Sequence, residues 1–364
     1  MRYQGTNVNV SVPDGVTAIG EEAFKNNTDL EVVSFPASVK TIGKSAFEGC
    51  SGLYGVSLPA GLTAVGDNAF AGCTSLTGIT IPDTVTSIGE SAFRECRAIT
   101  GATLSASLTA IPDYLFSYCW ALSSVTIPDH VKSIGANAFA GCRSLSELTL
   151  PDSVETIGYS AFSYCISLSG INLPSPVQTI DWFAFDGCSS LTEIVIPASV
   201  TKIGSGAFED CTSLTTVTML CRKPDIEGTV FYSTFYGCTA LKTVNFAGSQ
   251  KEWNVLTGGG ETPEGVTVHC AAADEPFAIT AHPTNVTAKS GDTVKFEVKA
   301  TGNGLTYQWQ LSDDAGKTWR DSSNKTVEYS TTLSDKNNGR YVRCVVTDKY
   351  GNAVKSDAAS MKIR

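Results

Sequence analysis

The sequence predicts a solenoid of short, stacked repeats followed by a small all-β domain. Cysteine recurs every 23 residues from Cys50 to Cys211, and phenylalanine recurs at the same interval from Phe24 to Phe208. A tenth unit, at residues 235–238, follows an insertion of four residues. Self-similarity with a period of roughly 20–50 residues is typical of repeat architectures. The last ninety residues lack this period and alternate between apolar and polar residues, as β-strands do.

Each repeat contains two short patterns. In one unit, Gly78–Ile81 alternates in polarity and predicts a brief strand, which Pro82 ends because proline cannot donate to a β-ladder. Ile88-Gly89 followed by Ala92-Phe93 predicts that the chain returns through a tight bend or a single helical turn. A unit this small cannot bury its apolar side alone, so successive coils must cover one another. At ~4.8 Å per coil, ten coils form a rod on the order of 50 Å long.

These motifs resemble the leucine-rich repeats of the BspA-like bacterial surface proteins over residues ~8–270. The resemblance rests on the Cys-x-x-Leu start, as in Cys73–Leu76, and on the Ile-Gly-x-x-Ala-Phe return of Ile88–Phe93. The segments Phe246–Trp253 and Val266–Cys270 look like the end cap of that family. The resemblance implies a leucine-rich repeat solenoid with about ten repeats and a role in extracellular adhesion.

The sequence divides into a repeat domain at 1–270, a linker at 271–276 and a second domain at 277–364. Several short alternating segments in the second domain predict a β-sandwich. This part looks like the immunoglobulin-like domains of bacterial surface proteins, with Trp309 as the core tryptophan. Val298 occupies the place of the first cysteine of such domains, so we expect Cys344 to be a free thiol.

Composition excludes several classes of protein. With 42% apolar residues the chain is not of the disordered class, and a formal charge of −10 disfavours nucleic acid as a partner. Residues 1–275, with 13 basic and 27 acidic side chains, carry −14, whereas 276–364, with 13 and 9, carry +4. No stretch approaches the ~20 apolar residues of a membrane helix, so we expect no membrane insertion within this chain. Met1–Gly5 lacks a signal-peptide core, so the protein is cytosolic or its leader was trimmed; the resemblance implies an extracellular or cell-surface location.

The repeated cysteines predict a ladder of buried structural thiols. Stacked side chains point in parallel, whereas a disulfide needs two sulfurs to converge, and zinc sites show close pairs of ligands that this sequence lacks. Buried cysteine behaves as a small apolar residue with a weak donor. The ladder comprises Cys50, Cys73, Cys96, Cys119, Cys142, Cys165, Cys188, Cys211 and Cys238.

No pattern for catalysis is present in the sequence. The three histidines, His130, His269 and His282, have no metal-ligand spacing, and no nucleophile or phosphate-binding motif occurs. We therefore predict a protein that is not an enzyme and has no cofactor and no bound metal. An enzyme would need a carboxylate pair or a metal that the sequence does not show.

Two surfaces remain as candidates for binding. The outward strand residues, Ser57, Thr80 and their equivalents, form a flat, weakly polar face without the Trp, Tyr and Arg typical of hot spots. On the return side, repeats five to eight carry aromatic residues where most repeats carry polar ones, and exposed aromatic clusters mark contact sites. Alternatively, these rings pack among themselves and seal that side. The candidate ligand-binding residues are Tyr118, Trp120, Tyr159, Tyr164, Trp182 and Phe183.

We therefore predict a non-catalytic binding or adhesion protein whose solenoid presents a surface to a host or matrix protein. The alternative is a surface protein that captures a glycan through the aromatic residues of repeats five to eight.

Overall fold

The computed structural model describes residues 7–259, 262–272, 277–302, 304–348 and 351–364. The chain forms two compact units: Met1–Asn245 with Asn254–Val268, and Phe246–Trp253 with His269–Arg364. The predicted domain limits of 1–270, 271–276 and 277–364 stay a prediction, and most of the predicted linker lies outside the described residues.

The first unit is a parallel β-solenoid of about eleven coils. Each coil contributes one strand of three to seven residues, and these strands form separate sheets of two to four strands, in which neighbouring coils pair in parallel with an offset of one repeat, such as Ile79 with Ala102. We call these the long strands. Their bounds are Asn9–Ser11, Val32–Ser34, Gly55–Ser57, Gly78–Thr80, Gly101–Thr103, Ser124–Thr126, Glu147–Thr149, Gly170–Asn172, Glu193–Ile196, Thr216–Met219 and Thr243–Ser249.

The first ten coils also contain a second strand that the sequence did not predict. Ser87–Ile88, where we expected a bend or a helical turn, forms a two-residue strand, and the turns follow at Glu90–Glu95. These short strands build parallel sheets of four and six strands. Their bounds are Ala18–Ile19, Thr41–Ile42, Ala64–Val65, Ser87–Ile88, Ala110–Ile111, Ser133–Ile134, Thr156–Ile157, Thr179–Ile180, Lys202–Ile203 and Asp225–Ile226.

A stack of phenylalanine rings fills the centre of the solenoid. Phe139, which is fully buried, lies 5.9 Å from the ring centroid of Phe116 and 5.4 Å from that of Phe162. Neighbouring rings along the stack, from Phe24 to Phe235, are near-parallel. One aromatic side chain per coil therefore supplies a continuous apolar core, which a single coil could not build.

The four-residue insertion leaves the phenylalanine stack continuous, with the Phe208 and Phe235 centroids 5.4 Å apart. Val230–Thr234 forms one turn of π-helix, whose start is capped by Thr229 accepting a hydrogen bond from the Tyr232 amide. Beyond the last short strand, the chain forms the helix Gln250–Leu256 and the strand Thr267–Ala272. No helix within the described ranges is both long and apolar enough to cross a membrane.

The second unit is all-β after residue 277. Its core holds Trp309, whose indole N–H donates to the Thr326 carbonyl at 2.9 Å, and Cys344, which pairs with Trp309 across two antiparallel strands. Val298 is buried in the same cluster. The strands are Ala278–Ala281, Val286–Ala288, Thr293–Glu297, Lys299–Thr301, Thr306–Ser312, Arg320–Asp321, Glu328–Thr332, Tyr341–Thr347, Ala353–Lys355 and Ala359–Ile363.

Candidate binding surface

The candidate residues form the aromatic patch: Tyr118, Trp120, Tyr159, Tyr164, Trp182 and Phe183, all in the turns that follow the short strands. Five of these side chains are exposed and Phe183 is half-buried. The exposed fractions run from 37% for Trp120 to 58% for Tyr164. The rings of the aromatic patch are therefore partly exposed to solvent.

Two positions in each of the first nine turns have left-handed backbone conformation, and aromatic residues occupy some of them in the patch. Tyr118 and Tyr164 have φ of 60° and 55°, and Phe183 has 57°, as does the neighbouring Tyr114. Other coils place mainly glycine, asparagine, serine or acidic residues at these positions. Bulky residues seldom adopt this conformation, which costs roughly 1–2 kcal/mol per residue. Strain of this kind clusters at functional sites.

Glycines of the next coil provide space for the rings. A Cβ placed on Gly187 would lie 2.8 Å from Tyr164 Cδ1, and one on Gly141 would lie 2.9 Å from Tyr118 Cδ1. The rings of Tyr164 and Tyr118 therefore lie directly on the backbone of the following coil. Contact with the following coil thus restricts the orientation of both rings.

Phe183 and Trp182 are held in the same way at the other end of the patch. A Cβ on Gly206 or on Gly204 would clash with Phe183 or Trp182, respectively. Tyr159 contacts Phe183 edge to face, with ring centroids 6.0 Å apart. Tyr159 and Trp182 occupy equivalent positions in consecutive coils, but the ring contact that the structure shows for Tyr159 is with Phe183.

Trp120 lies between two arginines that the sequence reasoning did not single out. The guanidinium carbon of Arg97 lies 4.2 Å from the Trp120 ring centroid, and that of Arg143 lies 5.2 Å from it. These residues precede and follow Trp120 by 23, so the repeat spacing could have revealed them. Both cations are attracted to the indole ring. Trp120 therefore presents a ring flanked by two guanidinium groups, of which that of Arg97 also pairs with the Glu95 carboxylate at 3.4 Å.

Carboxylates lie near Tyr164, two coils beyond Trp120. The proximity of Asp186, followed by burial and by Asp210 and Glu209, raises the Tyr164 phenol pKa. Burial raises the pKa of Asp186 and of Glu209, and the charge of Asp210 raises both further. Asp186 accepts a hydrogen bond from the Ser163 hydroxyl at 3.1 Å. The patch consequently has guanidinium groups near Trp120 and carboxylates near Tyr164.

Two further tyrosines, Tyr232 and Tyr236, are exposed in the turn that carries the insertion. The Asp210 amide donates to the Tyr236 carbonyl, just as the Gly187 amide donates to the Glu209 carbonyl. Tyr236 therefore occupies the position equivalent to Asp186 and Glu209, one coil beyond Glu209. The sequence reasoning missed both tyrosines because the insertion interrupts the 23-residue spacing.

The face of the long strands is not as flat as the sequence suggested. Two shallow depressions, each of about 510 Å³, lie on it. Glycines leave room in the first: a Cβ on Gly78 or Gly101 would meet only a carbonyl oxygen, at 3.5 or 3.8 Å. The outward residues Thr80, Thr103 and Thr126 line the same depression. No Trp, Tyr or Arg lines either depression.

The repeated cysteines are all buried free thiols. Each donates to the carbonyl of the phenylalanine in the preceding coil, as in Cys165 Sγ to Phe139 O at 3.2 Å and Cys50 Sγ to Phe24 O at 3.0 Å. Burial raises the thiol pKa of Cys96 and Cys165 to about 12. Cys73, Cys119, Cys142, Cys188, Cys211 and Cys238 make the same bond.

Cys221 and Cys344 are also buried free thiols, and Cys270 is a half-buried one. No group of three or more His, Cys, Asp or Glu residues in the described part of the chain has the arrangement of a metal site.

Comparison with solved structures gives several bacterial leucine-rich repeat proteins. One from Bacteroides ovatus is 30% identical, with a TM-score of 0.54; the match covers 72% of this chain and 60% of that one. The T. pallidum leucine-rich repeat protein is 35% identical, with a TM-score of 0.43, over 46% of this chain and 80% of its own. The pneumococcal vaccine antigen PcpA is 21% identical, with a TM-score of 0.50 and coverages of 73% and 74%, which shows the fold alone.

No curated protein matches this chain. The family described as "BspA type Leucine rich repeat region (6 copies)" matches residues 3–121 and 109–234, which together are more than half of the sequence. Its repeat length and its parallel coils agree with the observed solenoid. The chain belongs to the BspA-type leucine-rich repeat family.

Proposed function

We propose that this chain is a non-catalytic bacterial surface or secreted protein that binds a host or matrix protein through the aromatic patch. One observation carries the proposal: four bulky aromatic residues, three of them in the patch, occupy left-handed backbone positions at a cost to stability. Exposed rings held rigidly in this way lose little conformational entropy on binding. Aromatic and arginine side chains are also the residues most enriched at binding hot spots.

A protein ligand fits the patch better than a neutral glycan. Sugars stack on a free aromatic face, whereas Arg97 and Arg143 flank the Trp120 ring. The guanidinium groups near Trp120 and the carboxylates near Tyr164 suit a protein ligand with a charged surface, because complementary charges select partners and orient their encounter. The surface location follows from the resemblance of the repeats to those of BspA-like surface proteins. The second unit then acts as an immunoglobulin-like spacer or second contact, in which Val298 replaces the first cysteine.

Affinity capture with the full chain tests this function. The bait is the wild-type protein, and the double variant Trp120→Ala/Trp182→Ala is compared with it against a panel of matrix proteins and a glycan array. Both side chains are exposed, so we expect the fold to survive. Binding to a matrix protein that is lost in the double variant supports the proposal.

Tyr54→Ala is the matched control, because Tyr54 is an exposed ring outside the turns that carry the patch. We expect this variant to bind like the wild type. A confirmed ligand that binds the double variant unchanged would exclude the patch, and glycan binding alone would favour the alternative function.

A further inference from the structure

The acidic part of the aromatic patch is formed by Tyr164 and three carboxylates of the next two coils. Tyr164 is its exposed ring, and the Tyr164 amide donates to the Asp186 carbonyl at 2.7 Å. Glu209 occupies the position equivalent to Asp186 in the next coil. Asp210 occupies the position equivalent to Tyr164 and Gly187, two coils beyond Tyr164. The four side chains thus belong to three successive coils. We call Tyr164, Asp186, Glu209 and Asp210 the tyrosine–carboxylate cluster.

No ion pair among the described residues involves the carboxylates of this cluster. The turn segments 159–166, 182–189 and 205–212 contain no lysine or arginine. Ion pairs occur elsewhere among the described residues, as between Lys132 and Glu155. Burial, together with the charge of Asp210, raises the pKa of both Asp186 and Glu209.

We propose that the tyrosine–carboxylate cluster binds an arginine or lysine side chain on an extended segment of a protein ligand. The inference rests on the proposed function and names the chemistry of the partner. A guanidinium or ammonium group over the Tyr164 ring is attracted by its π-face, while carboxylates nearby supply the counter-charge. The charge complementarity of the cluster selects this occupant, since an anionic glycan would be repelled.

The ring orientation supports this mode of binding. The ring of Tyr164 lies against Gly187, which restricts its orientation, while 58% of the residue stays exposed. A cation therefore meets a ring that needs no rearrangement, and preorganisation of this kind favours affinity. At Trp120, by contrast, the guanidinium groups of Arg97 and Arg143 already lie over the ring, where a ligand cation would lie at Tyr164.

Binding of defined peptides to the full chain tests the proposal. The probe is a short peptide that alternates glycine with arginine, and its partner probe has neutral citrulline in place of each arginine. Titration calorimetry at about 0.15 M salt screens charges more than about 8 Å apart. We expect the arginine peptide to bind on the order of tenfold more tightly than the citrulline peptide.

Two triple variants separate the cluster from the overall charge. Asp186→Asn/Glu209→Gln/Asp210→Asn neutralises the cluster, and we expect it to lose on the order of tenfold in affinity for the arginine peptide. The control Asp129→Asn/Glu147→Gln/Asp152→Asn removes the same charge from exposed residues elsewhere on the solenoid and should retain affinity. Tyr164→Leu should weaken binding, whereas Tyr164→Phe, which keeps the ring, should not.

Equal losses in both triple variants, or equal binding of both peptides, would overturn the proposal, as would a neutral oligosaccharide that binds all the variants alike. The proposed function fails separately. A matrix protein that requires Trp120 and Trp182 but ignores neutralisation of the cluster would leave that function standing and reject this inference alone.

Discussion

The ring of Tyr164 lies directly on the backbone of Gly187, one coil further along the solenoid. The two residues are 23 positions apart and therefore occupy equivalent positions in consecutive coils, and both have positive φ. A glycine is required beneath the ring, because any Cβ there would occupy the space of Tyr164 Cδ1. The geometry of the aromatic patch thus depends on residues that do not belong to it.

Gly187→Ala should displace Tyr164 and weaken ligand binding without altering any residue of the patch. Gly72→Ala is the matched control, since Gly72 has φ of 72° but a Cβ there meets only backbone at 3.6 Å. Both variants should lose about 1–2 kcal/mol of stability through strain in the left-handed region. Urea unfolding gives the stability and affinity capture the binding. Equal binding by both variants would contradict the role assigned to the ring position.

Tyr114→Asn should stabilise the solenoid. Tyr114 has φ of 57°, and the equivalent positions of other coils hold Asn68 and Asn137 at 54° and 53°. Asparagine tolerates this conformation, so relief of strain should raise the free energy of unfolding by up to about 1 kcal/mol. A shift of the urea midpoint at constant slope would measure the gain. A lower midpoint would show that packing of the Tyr114 ring outweighs the strain.

Phe139→Ala should destabilise the solenoid strongly. Its ring is fully buried between those of Phe116 and Phe162, and removal of such a side chain costs about 3–5 kcal/mol. Urea unfolding followed by circular dichroism measures the loss. Tyr159→Ala, which removes an exposed ring, should change stability by less than about 1 kcal/mol. Similar losses in the two variants would contradict the phenylalanine stack as the core.

The buried thiols should make the fold sensitive to alkali. Burial raises the pKa of Cys96 and Cys165 from 9.0 to about 12, so the folded state retains protons that the unfolded state loses. This contribution to stability is constant below pH 9 and is lost as the pH rises from 9 to 12. Thermal unfolding across this range measures the decline. Cys165→Ser keeps a hydroxyl donor but does not titrate, so it should show a smaller decline than the wild type.

The fold could be predicted from the sequence because one spacing repeats. Cys73, Cys96 and their equivalents share one environment, and so a single unit describes every coil. The second strand escaped prediction because Ser87–Ile88 is only two residues long and depends on pairing with neighbouring coils. Propensity and pattern are weak signals at that length.

The candidate site was less predictable than the fold. Repeat spacing places Tyr118 and Tyr164 on one file, yet it does not reveal left-handed backbone or rings that rest on Gly141 and Gly187. These features depend on the exact path of the turn. The 23-residue spacing places Arg97 and Arg143 beside Trp120 in the neighbouring coils, but a search for aromatic residues alone does not find them.

The bond between each thiol and the phenylalanine carbonyl of the preceding coil limits how such a chain can change in length. Across the four-residue insertion, Cys238 Sγ still lies 3.1 Å from Phe208 O, and the Phe208 and Phe235 centroids remain 5.4 Å apart. Extra residues are tolerated where they leave the axis of the stack undisturbed, as Val230–Thr234 does by forming its own helical turn. Evolution can therefore lengthen this protein in whole repeats, or decorate its turns, and a designer who grafts a foreign loop should choose that same turn.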